Sequence, residues 1–224
     1  MSAGADDVPP RVLLRPIGSP LTLGTSGLGI ASLVQSGYDL HWIATTQSPK
    51  VGLILIAVPF VLQGIACVLA YLARDGAAGA ALGVLSTSWL AIGLVEVTSR
   101  PGQRSGAIGL LLLGAAGIIA LSAVAISTTK PLPAALFSVA ALRFALAGVY
   151  QLGGTGAWRQ IAGITGLVVV AGAAYCALAF EFEGQQHRPV LPTFRRGKGR
   201  AAVLGTPTAA VGDLAHEPGV RQTT

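Results

Sequence analysis

The sequence predicts an all-α, polytopic membrane protein with six transmembrane helices in one bundle and both termini in the cytoplasm. Only 11% of its 224 residues are charged, whereas soluble globular domains carry about 25%. The mean hydropathy is +0.67, and the apolar residues are concentrated in long blocks. Blocks near about 20 residues are typical of membrane-spanning helices, because each helical residue advances about 1.5 Å through a hydrocarbon layer of about 30 Å.

Six apolar blocks, separated by short polar breaks, form the predicted transmembrane domain at 17–185. We place the spans at 21–35, 51–73, 79–97, 106–127, 134–152 and 158–180. Proline, glycine and charged residues cluster in each break, and such clusters end helices. The polar, proline-bearing stretch 1–16 is predicted to be a disordered lead-in, and the basic stretch 186–224 a disordered cytoplasmic tail.

Basic residues are distributed unequally between the two ends of the six spans, nine on the side of both termini and four on the other. The first group is Arg11, Arg15, Arg74, Lys130, Arg188, Arg195, Arg196, Lys198 and Arg200, and the second is Lys50, Arg100, Arg104 and Arg159. Because cytoplasmic loops carry the excess of lysine and arginine, both termini are expected inside the cell. The abundance of alanine, glycine and arginine resembles proteins of GC-rich bacterial genomes, which favours the bacterial cytoplasmic membrane. The basic tail suits anionic lipid, so no nucleic-acid partner is expected.

Apart from Arg159, at the very start of the sixth span, Arg143 is the one basic residue inside a predicted span, and it lies near the centre of the fifth. A charge at that depth costs about 2.5–3.5 kcal/mol on insertion scales, so the side chain is expected to face protein or water. On a helix it shares a face with Tyr150 and Gln151 as well as with two alanines. Two interpretations remain open. Arg143 either contributes to a path for anions or forms a structural pair, for which Glu96 is the one acidic residue within the spans.

Small and polar residues also recur at helical spacing in the other spans. Further candidates for a substrate path are Thr22 and Ser26 of the first span, Gln63 of the second, and Ser86 and Thr87 of the third. Small residues let membrane helices approach closely, and polar ones bond across the contact. Close packing and a narrow water-filled path therefore both remain possible for these stripes.

Motifs for catalysis or metal binding are missing from the sequence, so neither an enzyme nor a cofactor or metal site is expected. There is no nucleophile elbow, no phosphate-binding glycine loop and no zinc-binding histidine pair. Cys67 and Cys176 lie singly in apolar blocks and are expected to be packing residues. His41, alone in a loop, is expected to be solvated.

Four stretches, in their order along the chain, resemble motifs of the acetate uptake transporter family, which includes the bacterial succinate–acetate permeases. The first, "IGSPLTL" at 17–23, is similar to the motif that opens the first helix of that family. Its motif positions here are Ser19, Pro20, Leu21 and Leu23, with serine standing where the family has alanine. The others are "YLARDG" at 71–76, "GAALGVLSTSW" at 79–89 and "HRPVLPTFRRG" at 187–197.

The resemblance, which covers about 14–197, implies a six-helix protein with cytoplasmic termini that assembles as a hexameric ring. It also implies one pore in each protomer, and a small carboxylate substrate, acetate or succinate, moved with or without protons. Ser26 and Leu85 stand where the family narrows its pore with aromatic residues, which predicts a wider pore or a gate elsewhere. Two other functions remain open: a channel for neutral solutes such as urea, and a membrane subunit or sensor that transports nothing.

Overall fold

The protein, seen in a computed structural model that describes residues 19–186, 190–197 and 200, is all-helical in the described part of the chain. The helices are α1 (Pro20–Asp39), α2 (Thr45–Leu72), α3 (Gly76–Thr98), α4 (Gly106–Ile126), α5 (Pro131–Gln151) and α6 (Gly156–Gln186). All but α1 are long and apolar enough to cross a membrane. The predicted all-α, multi-pass architecture is confirmed. The predicted lead-in, 1–16, lies outside the described residues, as does the tail except for the residues just given.

The helices begin where the sequence offers proline or an N-cap side chain. Pro20 and Pro131 occupy the first turn of α1 and α5, where proline has the required φ and its missing N–H is no loss. Asp75 and Ser105 precede α3 and α4, and each side chain accepts a hydrogen bond from a backbone N–H of the first turn, at 3.4 Å. These caps satisfy N–H groups that a helix leaves without partners. The breaks between spans are therefore real helix boundaries.

Three helices extend well beyond their predicted bounds. The helix α1 continues to Asp39 rather than ending at position 35, and α6 continues to Gln186 rather than ending at 180. The helix α2 begins at Thr45 rather than at position 51. The extension of α1 brings an acidic residue into the bundle. From the sequence this residue is expected in the polar break between the first two spans, and the structure corrects that expectation.

The six helices pack around one another in a closed ring. Each helix contacts its neighbour in the chain, and α6 returns to pack along α1. The centre of the ring is filled by fully buried side chains, the largest being Trp89, Phe137, Phe144 and Phe180. Trp89 and Phe144 meet edge to face with ring centroids 5.2 Å apart. Both lie near the middle of helices that are not neighbours in the ring, so their contact crosses the interior of the bundle at mid-depth.

Glycines bring α2 and α3 into close contact. A Cβ added to Gly52 would lie 2.5 Å from the Gly93 carbonyl oxygen, so the two backbones touch there. Gly79 and Gly83, from the predicted small-residue stripe of α3, likewise face side chains of α2. Of the two interpretations offered for this stripe, its surroundings favour close packing.

A π turn at Ile56–Phe60 interrupts α2 around Pro59. Proline lacks an N–H and crowds the preceding turn, so it leaves backbone acceptors without their helical partners. The Ser86 hydroxyl donates to the Phe60 carbonyl oxygen at 2.8 Å. That bond ties the end of the interrupted segment to the neighbouring helix α3, and such support from a side chain of another helix helps membrane helices to tolerate interruptions.

Residues 190–197, within the stretch predicted as a tail, fold back against α6 and the turn before α5. The Arg195 side chain pairs with the buried Glu183 carboxylate at 2.7 Å, and the Arg196 backbone N–H donates to the Thr129 carbonyl oxygen. Thr193 is buried, and the Tyr175 hydroxyl donates to the Pro192 carbonyl oxygen at 3.1 Å. This part of the chain is thus anchored at the end of the bundle where α6 finishes.

Candidate anion site

Arg143 projects from α5 into the interior of the bundle, where only 2% of the residue is exposed. Its Nη2 atom lies 3.6 Å from an oxygen of Asp39, the last residue of α1. The guanidinium also lies over the ring of Trp89, 5.6 Å from its centroid. Arg143 therefore faces protein, as the cost of a buried charge predicts. Its acidic partner, however, is Asp39 and not Glu96, because α1 continues further than the sequence indicated.

A glycine on α6 makes room for the Arg143 side chain. A Cβ added to Gly166 would lie 2.7 Å from Arg143 Nε and would also collide with the Ser36 hydroxyl. No larger residue fits between α1, α5 and α6 at this point without moving the arginine. The local sequence thus permits the packing of a long charged side chain inside the ring.

Arg159 is a second buried arginine at the same place, and it comes from the first turn of α6. Its Nε atom lies 3.5 Å from the other oxygen of Asp39, and Nη2 donates to the Tyr38 carbonyl oxygen at 2.8 Å. Its Nη1 atom lies 3.1 Å from Nε2 of His41, an exposed residue as predicted. In the sequence Arg159 is recognisable only as a basic residue at a helix end.

Asp39 does not satisfy the donors of both arginines. The separations of 3.5 and 3.6 Å exceed the roughly 2.7–2.9 Å of a charge-assisted hydrogen bond. Arg143 Nε and Nη2 and Arg159 Nε are buried without a hydrogen-bond partner in the described part of the chain. A buried donor without a partner costs about 1–3 kcal/mol, and more when it is charged. The site therefore offers unused donors to an anion.

A cavity of about 30 Å³ adjoins these donors. Its polar lining consists of Gln35 and Asp39 of α1, Glu96 of α3, Arg143, Tyr150 and Gln151 of α5, and Arg159 of α6. Since one water occupies about 10–15 Å³ on this measure, the cavity has room for about two waters. A carboxylate of two carbons enters only if side chains move.

Two smaller cavities, each of about 20 Å³, connect the site with the loop between α3 and α4. They share Glu96 and Gln151 with the first cavity and reach Arg100 and Gln103 of that loop. The helices α1, α3 and α5 end on this side. The site is thus a vestibule at one end of the bundle, the end predicted to face away from the cytoplasm.

The structure brings together three of the eight side chains predicted to line a path, namely Arg143, Tyr150 and Gln151. Gln151 accepts a hydrogen bond from the Ser105 backbone N–H at 2.9 Å, and the Arg104 guanidinium stacks over Tyr150. These contacts fix the α5 end against the loop before α4.

The other five candidates do not line this cavity, and the side chains of four of them bond to helix backbones elsewhere. Ser26 donates to Thr22 of its own helix, Ser86 to Phe60, Thr87 to Gly83, and Gln63 to the Gly24 carbonyl oxygen across the α1–α2 contact. The motif residues at the start of α1 serve the fold in a similar way: Ser19 and Pro20 begin the helix, and Leu21 is buried.

Sequence reasoning missed Asp39 and Arg159 as site residues. A signal for Asp39 was present, because Gln35 and Asp39 are four residues apart and so share one helix face. The structure places the Gln35 amide 3.5 Å from the Asp39 carboxylate. For Arg159 the sequence held no such signal, since a basic residue at a helix end is also what membrane orientation requires.

No protein-family model matches the sequence, and no curated protein matches it. Among solved structures, the chain is similar to the bacterial acetate channel SatP, with a TM-score of 0.69 and 21% sequence identity. The match covers 80% of this chain and 99% of that one. The chain shares the fold of this acetate channel. At this level of identity the similarity establishes the architecture, and the chemistry has to come from the site.

Proposed function

We propose that the protein is a membrane channel or permease for small carboxylates, with acetate as the first substrate and succinate as a further one. The observation that carries this proposal is the pair of buried arginines whose guanidinium donors exceed what Asp39 can accept. The fold shared with an acetate channel supports it. Because the helices form a closed ring, the site lies inside the bundle rather than against lipid.

A carboxylate cannot enter a membrane interior without replacing the hydrogen bonds that water gives it. An arginine offers five N–H donors in a planar arrangement that matches a carboxylate, and it stays charged. In the proposed route the anion enters through the loop between α3 and α4 and binds at Arg143 and Arg159. It then passes Trp89 and Phe144, whose rings meet across the interior of the bundle.

The same proposal includes assembly into a ring of protomers, six by the family resemblance, in a bacterial cytoplasmic membrane with both termini inside. The outward face of α4 supports self-association. A Cβ added at Gly114 or Gly117 would meet nothing within 4 Å, and the neighbouring Leu110 and Leu121 are each 67% exposed. Small residues on such a face allow a second helix to approach closely.

The test is uptake of labelled acetate, succinate and urea by proteoliposomes that contain the purified protein. We expect acetate to enter fastest and urea to enter no faster than into empty liposomes, because buried cations attract anions. Uptake of urea without acetate would replace the proposal with a neutral-solute channel.

A membrane subunit or sensor without transport activity is the second candidate. The observation that favours it is that both arginines already pair with Asp39 beside a cavity too small for acetate. In that case the charges hold α1, α5 and α6 together, and none of the three solutes crosses the proteoliposome membrane faster than in protein-free liposomes.

A further inference from the structure

Four charged side chains line the same small cavity: Arg143, Arg159, Asp39 and Glu96. Asp39 lies between the two arginines, 3.6 and 3.5 Å from them. Glu96 forms no ion pair with another described residue. When all four groups are ionised their formal charges cancel, so the empty site carries no net formal charge although guanidinium donors in it remain unpaired.

Binding of one monocarboxylate to this neutral set adds a negative charge to a largely buried site. Charges interact far more strongly there than in water, and an uncompensated one is costly. One proton bound at the same time restores neutrality. The acceptor of that proton must be one of the groups that face the cavity.

The arrangement of the groups singles out Glu96. A proton on Asp39 would remove the partner of two arginines at once, whereas a proton on Glu96 breaks no ion pair. Glu96 also lines the two cavities that lead to the α3–α4 loop, so it is half-buried and within reach of solution protons. The other charged or titratable groups around it are Arg100 and Arg104 of the loop, Tyr38 of α1, Tyr150 of α5 and, through Arg159, His41. From α2, the Ser48 hydroxyl donates to the backbone carbonyl oxygen of Glu96 at 3.5 Å.

We propose that Glu96 accepts one proton for each monocarboxylate that binds at Arg143 and Arg159. This inference rests on the proposed function and assigns its proton-binding residue. A proton from solution adds to a carboxylate oxygen of Glu96, which loses its negative charge. The substrate anion binds beside the guanidinium groups and brings one negative charge in its place. No covalent bond of the substrate changes, and the loaded site carries no net formal charge. Substrate and proton together amount to the neutral acid, so their joint passage moves no charge across the membrane.

Acetate affinity measured against pH tests the proposal. The dissociation constant of the purified protein in detergent is determined between about pH 6 and about pH 8, where simple carboxylic acids are almost fully ionised. Uptake of one proton makes binding about tenfold weaker for each pH unit of increase. In Glu96→Gln the site has a fixed positive charge, so the affinity should no longer depend on pH and should exceed that of the wild type at about pH 8.

Two control variants separate this effect from others. Glu181→Gln changes an exposed glutamate at the far end of α6 and should keep the wild-type slope. His41→Gln removes the histidine beside Arg159 and should also keep the wild-type slope, because Glu96 and not this histidine is the residue that takes up the proton.

Wild-type protein that binds acetate with no pH dependence overturns the inference, even if Glu96→Gln does not fold. So does a Glu96→Gln protein that keeps the full slope. Failure of the wild type to bind acetate at any pH contradicts the proposed function itself, so the two failures are distinct. A second readout is the membrane potential. Acetate flux through the wild type should not change when a potassium diffusion potential is imposed. Flux through Glu96→Gln should change with the size and sign of that potential.

Discussion

Neutralising Asp39 should destabilise the protein far more than removing Arg143. The carboxylate is shared by two buried arginines, whose side chains are 3% and 9% exposed. Asp39→Asn leaves both charges without a counter-ion, and breaking a buried pair in this way costs about 3–5 kcal/mol. Because the two separations exceed hydrogen-bond length, we expect a loss near the lower figure, about 3 kcal/mol.

Arg143→Leu has a much smaller expected effect, because Asp39 keeps Arg159 at 3.5 Å and two buried donors without partners disappear. Replacing a buried ionic group by an apolar one of similar size is often neutral or stabilising. We expect the free energy of unfolding to change by less than about 1 kcal/mol. In the double variant, Asp39→Asn with Arg143→Leu, only Arg159 lacks its partner. Its free energy of unfolding should therefore be about 1–3 kcal/mol higher than that of Asp39→Asn alone.

The free energy of unfolding is measured by denaturation in mixed micelles with increasing SDS, followed by tryptophan fluorescence. The buried Trp89 beside Arg143 is expected to report the loss of packing at the site. Equal losses for Asp39→Asn and Arg143→Leu would refute the reasoning. A double variant no more stable than Asp39→Asn alone would refute it as well, because the two residues would then not be coupled.

Three further predictions concern packing, the Trp89–Phe144 contact and topology. Gly166→Ala should cost about 1–3 kcal/mol through overpacking and reduce acetate flux by displacing Arg143. Gly184→Ala on the same helix, with nothing within 4 Å of its Cβ, should neither destabilise the protein nor lower the flux. Chemical denaturation and liposome uptake measure the two effects. Trp89→Ala removes one ring of the Trp89–Phe144 contact, past which the proposed route leads, so the ratio of succinate to acetate flux should rise. An unchanged ratio would show that the route lies elsewhere. A reporter fused after Arg200 should be active only when it is in the cytoplasm, and activity of a periplasm-dependent reporter at that position would reverse the orientation.

The helices were predictable because the physical signals for them are local. Apolar blocks give the spans, and Pro20, Pro131, Asp75 and Ser105 mark the places where helices begin. The end of α1 was not predictable in the same way. Its last turn contains glycine and tyrosine, and it remains helical because it packs on α6, where Gly163 and Gly166 leave room for it.

The site was predictable in part, for a related reason. Arg143 stands out because a charge inside an apolar block requires a partner, and Tyr150 and Gln151 follow from the 3.6-residue period of its helix. Asp39 and Arg159 are supplied by helices distant in the sequence, and only the closure of α6 onto α1 brings them to Arg143. No local pattern encodes that closure.

The central claim is that the buried arginine binds the anion that the protein transports. It is tested most directly by acetate uptake into proteoliposomes containing wild-type, Arg143→Lys or Arg143→Leu protein, each with the same oligomeric state by gel filtration. Lysine keeps the charge but not the paired donors, so the account predicts reduced but measurable flux for Arg143→Lys. It predicts flux no greater than that of empty liposomes for Arg143→Leu. Wild-type acetate flux through a correctly assembled Arg143→Leu protein would contradict the claim and make the arginine a structural residue.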